Sequence, residues 1–195
     1  KLLKRIFDIG ASIFTLVFVV SWLFPIIAIL IKLDSNGSVF FKQLRHGKNN
    51  QLFYCYKFRT MVKNKDADTK QATVNDARIT RIGKFLRKSS LDELPQVFNV
   101  LLGNMSIVGP RPQAVPMNLE FAKEIDNFMS RHQVKPGITG LAQSKGYRGE
   151  ISSYSELYSR YRLDNFYVRK WNLIFDIKII VETAVSLLLK SDKAY

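Results

Sequence analysis

The sequence predicts an α/β fold that is mostly helical. An apolar helical segment occupies residues 1–33, and a second domain, residues 34–195, is built of amphipathic helices around a small strand element. Three observations carry this expectation. Residues 9–31 hold no charged side chain, apolar residues recur at helical spacing over several later stretches, and only two short segments have the aromatic and β-branched content of strands.

The 195 residues suit one modest domain, and the 47% hydrophobic content is ample for its core. A formal net charge of +14 calls for an anionic partner: nucleic acid, acidic lipid headgroups or a phosphorylated substrate. The apolar segment favours the last two. Cys55 is the only cysteine, which excludes a disulfide framework and a Cys-based metal site and agrees with a reducing, cytosol-facing location. A chain that begins at Lys1 rather than Met reads as either a fragment or a processed form.

At 1.5 Å per residue, residues 9–31 make a helix of about 35 Å, enough to cross a bilayer. The run is too long for a signal peptide, and no small-residue cleavage pattern follows it. Pro25 has no N–H to give the carbonyl of Ser21, so a kink or break is expected there, with the Ser21 hydroxyl placed to serve the disturbed backbone. Both flanks are basic: Lys1, Lys4 and Arg5 before the run, then Lys32, Lys42, Arg45 and Lys48 after it. A kinked span and a re-entrant helix that breaks near Pro25 and returns to the same face both fit, the second putting both basic flanks on the cytoplasmic side.

Residues 39–42 and 52–58 read as strands around the turn-prone Gly47-Lys48-Asn49-Asn50. Residues 63–75 read as a mobile surface loop, and 79–86 as the start of a short basic helix carrying Arg81, Lys84, Arg87 and Lys88. A helix over 94–102 should stop at Gly103-Asn104, and Pro110-Arg111-Pro112 is a rigid extended element. Residues 118–132 form an amphipathic helix, and Pro136-Gly137 and Gly140 mark loops. Helices follow over 153–171, rich in tyrosine, and over 174–189, interrupted by Asp176, Lys178 and Glu182. Such helices suit a membrane interface, although core packing explains each one equally well taken singly.

Ser90-Leu91-Asp92-Glu93 matches a capping box; alternatively, Asp92 is the cap and Pro95 falls in the first turn. Either register puts both carboxylates at the positive end of a helix dipole, which with Arg87 and Lys88 predicts an ionised Asp92. Adjacent carboxylates also suit covalent phosphoryl chemistry, one as nucleophile and the other holding Mg²⁺. Taken alone, capping is the simpler account of the pair. Lys57-Phe58-Arg59-Thr60-Met61 and Val108-Gly109-Pro110-Arg111-Pro112 bring complementary charge: Arg59 and Arg111 suit bidentate phosphate binding and Lys57 a point charge, against the simpler reading of solvated surface cations. His46 and His132, the only histidines, lie far apart in sequence. No His-based metal cluster, Ser-His-Asp triad, P-loop or dinucleotide fingerprint is present.

Together these motifs resemble one family. Lys4-Arg5-Ile6-Phe7-Asp8, the Pro25 segment, the Lys57 and Ser90 motifs, Met105-Ser106-Ile107-Val108-Gly109-Pro110-Arg111-Pro112, Val134-Lys135-Pro136-Gly137-Ile138-Thr139-Gly140 and Asp176-Ile177-Lys178 follow in the order found in bacterial sugar transferases. These are monotopic phosphoglycosyl transferases that load a polyprenyl phosphate. The resemblance implies that Asp92 attacks the β-phosphate of a UDP-sugar and UMP leaves; the resulting phosphosugar passes to undecaprenyl phosphate, as a first membrane step of exopolysaccharide or glycoconjugate synthesis. It also implies Mg²⁺ on Glu93, phosphate binding by Lys57, Arg87 and Arg111, a re-entrant helix, and a site at the cytoplasmic face of the bacterial inner membrane among its lipids.

Two departures stand out. Many members have Ser before the membrane proline, where this chain has Phe24, with Ser21 one turn earlier. The common Gln-Val-Asn-Gly reads Gln143-Ser144-Lys145-Gly146, followed by Tyr147-Arg148-Gly149-Glu150, which places Gln143 and Arg148 near the nucleotide or sugar. This second form resembles the glucose- or galactose-1-phosphate subgroup, whose longer members carry additional N-terminal membrane helices. A homo-oligomer is compatible with the resemblance. The competing readings are a non-catalytic protein that binds anionic lipid and a nucleic-acid binder, the latter without any binding motif.

Overall fold

The computed structural model describes residues 2–64, 72–73 and 76–189. Helix α1 (Leu2–Thr15) passes through a wide π turn (Leu16–Val20) into α2 (Ser21–Asp34), so the apolar segment is one helical run of 33 residues, about 50 Å long. The break expected at Pro25 does not interrupt the backbone, which stays helical through the proline. The irregularity lies just ahead of it, where the Ser21 N–H reaches past one residue to Leu16 O. Nor does the Ser21 hydroxyl serve Pro25. It donates to Val17 O (2.6 Å), and Trp22 Nε1 donates to Phe18 O (2.8 Å), so two carbonyls of the wide turn gain side-chain donors. Lipid offers no such donors, so these bonds suit an apolar setting.

Both ends of this helix are tied to the same domain. Near its start, Lys4 Nζ donates to Asp176 Oδ2 (2.6 Å), Arg5 donates to the carbonyls of Val100 and Leu101, and buried Asp8 accepts from Ser106 Oγ and Ile107 N. Near its end, Ile27 and Ile31 pack with Phe58 and Leu86, and Asp34 accepts from Ile82 N. Between them, Ile13, Phe14, Val17, Phe18, Trp22 and Ile29 stay exposed.

Strands β1 (Phe40–His46) and β2 (Leu52–Phe58) form an antiparallel hairpin that pairs Arg45 with Phe53 and Phe41 with Lys57. Alternation along β2 turns Phe53 and Cys55 inward. The turn is made by Asn49 and Asn50 at φ 53° and 61°, a left-handed conformation asparagine tolerates well. Most of the loop expected over 63–75 lies outside the described residues.

Helix α3 (Arg81–Lys88) is capped by Thr80, whose hydroxyl accepts from Gly83 N. Gly83 lies so close to Thr60 that a Cβ there would meet Thr60 O at 2.0 Å. Helix α4 (Gln96–Leu101) ends at Gly103, φ 89°, as its sequence requires. Strands β3 (Ser106–Val108) and β4 (Gly137–Thr139) pair in parallel, where the sequence reading placed loops around Pro136-Gly137. The helix expected over 118–132 is also shorter: α5 (Val115–Glu124) stops, Ile125 is extended, Asn127 is left-handed at φ 58°, and a 3₁₀ turn covers Phe128–Gln133. Asp126 and Asn127 are poor helix formers whose side chains compete for backbone bonds. Then come α6 (Leu141–Ser144), α7 (Tyr154–Lys170) and α8 (Leu173–Leu189). Tyr167 of α7 and Ile179 of α8 pack on Val108 and Leu141, which seats the small sheet beneath the last two helices.

Candidate active site

Ser90 is left-handed at φ 57°, and Leu91–Glu93 follows as a single 3₁₀ turn, with α4 beginning only at Gln96. The capping box is therefore absent: Ser90 makes no side-chain cap, and the Glu93 carboxylate is bound elsewhere. Lys57 Nζ on β2 donates to Glu93 Oε1 at 2.6 Å. Arg111 forks onto both oxygens, at 2.7 Å to Oε1 and 3.1 Å to Oε2. Asp92, 7% exposed, has its nearest cation, Lys57 Nζ, at 4.0 Å, and among the described residues no hydrogen bond reaches it. Arg87 of α3 donates from Nε to Thr60 Oγ1 (3.0 Å), and its charge and that of Asp92 act on each other.

Burial pushes both carboxyls up, and their surroundings then separate them. Arg111 and Lys57 outweigh burial at Glu93 and hold it well below the usual carboxylate range. At Asp92 burial wins over Lys57, and the charge of Glu93 adds to the rise. The field expected from a helix start and Lys88 is replaced by desolvation, because Asp92 lies in a buried turn ahead of the helix. Burial lowers the Arg87 guanidinium, with Asp92 opposing, and also lowers Arg148.

These groups line one cleft of about 940 Å³. Lys57, Arg87, Asp92, Glu93, Arg111, Gln143 and Arg148 border it, with Ile107, Ile138 and Ile180 as apolar wall and Thr15 of the N-terminal helix at its edge. Gln143 Nε2 donates to Ile138 O (3.1 Å), and Arg148 Nε donates to Gln143 O (3.1 Å). Arg59 borders the cleft too, but its guanidinium is spent on the carbonyls of Ile31, Ser35 and Asn36, closing the end of α2 rather than reaching toward a phosphate. Gly37, φ 134°, makes room for it, since a Cβ there would meet the guanidinium at 2.0 Å.

Sequence reasoning found Phe98-Asn99-Val100-Leu101 as a family motif but gave no role to Asn99, which is fully buried on α4. It accepts from Tyr56 N (3.0 Å) and donates to Tyr54 O (2.7 Å), fixing β2, and so Lys57, against the turn that carries Glu93. The available signal was an amide among Val97, Phe98 and Val100. Asp8 and Asp176 belong to motifs the sequence offered, Lys4-Arg5-Ile6-Phe7-Asp8 and Asp176-Ile177-Lys178, but their partners were not legible there. As for Mg²⁺, Glu93 is an ionised hard-oxygen donor, and its Oε2 takes a single bond from Arg111, leaving acceptor capacity. That fits an ion bound by one carboxylate and completed by substrate phosphate oxygens.

Residues 1–190 match the family described as bacterial sugar transferase. The UDP-glucose:undecaprenyl-phosphate glucose-1-phosphate transferase of Xanthomonas campestris pv. campestris is 54% identical over 164 residues, 83% of this chain and 34% of that protein. The protein of the same name from Escherichia coli (strain K12) is 47% identical over 184 residues, 94% of this chain and 39% of its own length. The exopolysaccharide production protein PSS of Rhizobium leguminosarum bv. phaseoli is 43% identical over 189 residues, 94% of each chain. This chain thus spans between a third and two fifths of the first two relatives. With the motifs in order and the match running along almost the whole sequence, the chain belongs to the bacterial sugar transferase family.

Proposed function

We propose that this protein transfers a hexose-1-phosphate from a UDP-sugar to polyprenyl phosphate, with Asp92 as the nucleophile. The observation that carries this reading is the division of labour between two adjacent carboxylates. Glu93 takes three charged bonds from Lys57 and Arg111, whereas Asp92 keeps its lone pairs. An Asp92 oxygen attacks the β-phosphorus, the bond to the UMP oxygen breaks, and UMP leaves. The acceptor's phosphate oxygen then attacks the same phosphorus, and the carboxylate is regenerated. Lys57, Arg87, Arg111 and Arg148 provide the positive wall that a diphosphate needs. Glu93 would hold Mg²⁺, which when bound neutralises phosphate oxygens.

The apolar helix seats the enzyme in the membrane as a re-entrant element, with the cleft at the cytoplasmic surface. Support comes from the anchoring of both helix ends on one domain, since a span would carry one end across the bilayer, out of that domain's reach. The exposed row Ile174, Ile177, Val181 and Val185 on α8 suits a lipid interface. The relatives' names make UDP-glucose the first donor to try, with UDP-galactose second.

The test is UMP release from a panel of UDP-sugars with undecaprenyl phosphate and Mg²⁺, comparing native protein with Asp92→Asn. Release with one donor, lost in the variant, is the expected result. Equal release by both proteins would remove Asp92 as nucleophile; anionic-lipid binding without any turnover would favour the non-catalytic reading.

A further inference from the structure

Pro110-Arg111-Pro112 has one backbone N–H among three residues, because proline has none. The segment that carries Arg111 must therefore be held largely through its carbonyls. All three are held: Pro110 O accepts from Gly137 N (3.0 Å), Arg111 O from the Arg131 guanidinium (2.5 Å), and Pro112 O from the Arg45 guanidinium. Arg131 is 3% exposed and is anchored by buried Asp164, whose Oδ2 lies 2.8 Å away. Arg45 belongs to β1; its backbone bridges to Ala114, and its second terminal nitrogen donates to Gln43 Oε1 (2.8 Å). Two guanidiniums from separate elements thus grip consecutive carbonyls of the residue, and of its neighbour, whose side chain forks onto Glu93.

We propose that Arg131, with Asp164, and Arg45 are positioning residues that aim Arg111 at Glu93. This rests on the assignment of Asp92 as nucleophile and Glu93 as its cation-bound partner. The geometry explains why charged donors are used. Carbonyl oxygens inside a fold are costly to leave unpaired, and the fork on Glu93 tolerates little rotation of the Arg111 backbone. If Arg111 drifts, Glu93 loses two of its three bonds, and Lys57, shared at 2.6 Å and 4.0 Å between the carboxylates, is free to close on Asp92 and mask the nucleophile.

The experiment is a double-mutant cycle on UMP release. A merely structural role would not give its signature. Arg131→Met with Asp164→Leu replaces the buried pair by apolar groups, a change such pairs tolerate far better than loss of one partner. The pair of substitutions is expected to lower kcat roughly 10–100-fold with KM for the UDP-sugar changed less than about threefold, and Arg45→Lys should act in the same direction. In an Arg111→Met background the same substitutions should cost under about twofold, because Arg111 is the only route by which they act. Should the apolar pair fail to fold, Arg131→Lys and Arg45→Lys carry the cycle. Full additivity in the Arg111→Met background, or no loss in the native background, overturns the proposal. If Asp92→Asn keeps native turnover, the underlying mechanism fails; if Asp92→Asn is inactive and the cycle is additive, only the positioning role fails.

Discussion

Replacing Asn99 with Ala tests the link between β2 and the carboxylate turn. The side chain is fully buried and closes two backbone groups of β2, accepting from Tyr56 N and donating to Tyr54 O. The bonds from Asn104 N and Met105 N go to the Asn99 backbone carbonyl and survive the substitution. Truncation leaves one strand N–H and one strand carbonyl without partners in an interior. At about 1–3 kcal/mol for each unsatisfied group, the loss is roughly 2–6 kcal/mol. For a domain of this size that corresponds to a fall in Tm of about 5–20 °C. Because Lys57 directly follows the strand residue freed by the change, turnover should also drop below the melting range. Thermal unfolding in nanodiscs followed by tryptophan fluorescence, paired with UMP release at 20 °C, measures both. A variant that melts within about 2 °C of native and turns over normally would refute the claim that Asn99 registers β2 against the site.

Other consequences follow from the same geometry. Glu93→Gln keeps the shape but removes the charge that Lys57 and Arg111 share; turnover should fall roughly 10–100-fold and the half-saturating Mg²⁺ concentration should rise, read from Mg²⁺ titrations of UMP release. An unchanged titration would exclude Glu93 as the holder. Burial first, and then the charges of Arg131 and His46, lower the His132 pKa to about 3 from the usual 6.5. Its neutral form therefore contributes stability that is complete above pH 6.5 and is lost as pH falls toward 3, because the unfolded chain takes up the proton first. Tm should decline between pH 7 and pH 5, before carboxylates titrate, and His132→Gln should flatten that decline. Gly37→Ala places a Cβ on the Arg59 guanidinium at a backbone angle that favours glycine, and should lower Tm. Combining it with Arg59→Ala should cost less than the sum of the two, since both disturb one clamp.

What the sequence disclosed is what local chemistry determines. The apolar run, the hairpin with its asparagine turn, the stop at Gly103, and helices α7 and α8 each carry their own period or punctuation. What stayed hidden depends on partners far along the chain. Strands β3 and β4 are three residues each, too short for a period, and exist because 106–108 meets 137–139. Arg59 looked like a phosphate ligand because nothing local shows that the end of α2 folds back onto it. Asp92 and Glu93 were legible as a pair, but not their separation in charge. That separation comes from Lys57 on a strand and Arg111 after β3, brought together only by the fold. The irregularity foreseen at Pro25 lies ahead of it, in the wide turn Leu16–Val20, while the proline itself sits in helical backbone.

The most direct test of the central claim is to incubate the protein with UDP-glucose, Mg²⁺ and no lipid acceptor, then map the modified peptide by mass spectrometry. A phosphohexose on Asp92 and one UMP released for each site modified are expected, with neither in Asp92→Asn. A phosphohexose on another residue, or UMP release that never begins until polyprenyl phosphate is added, would contradict the claim.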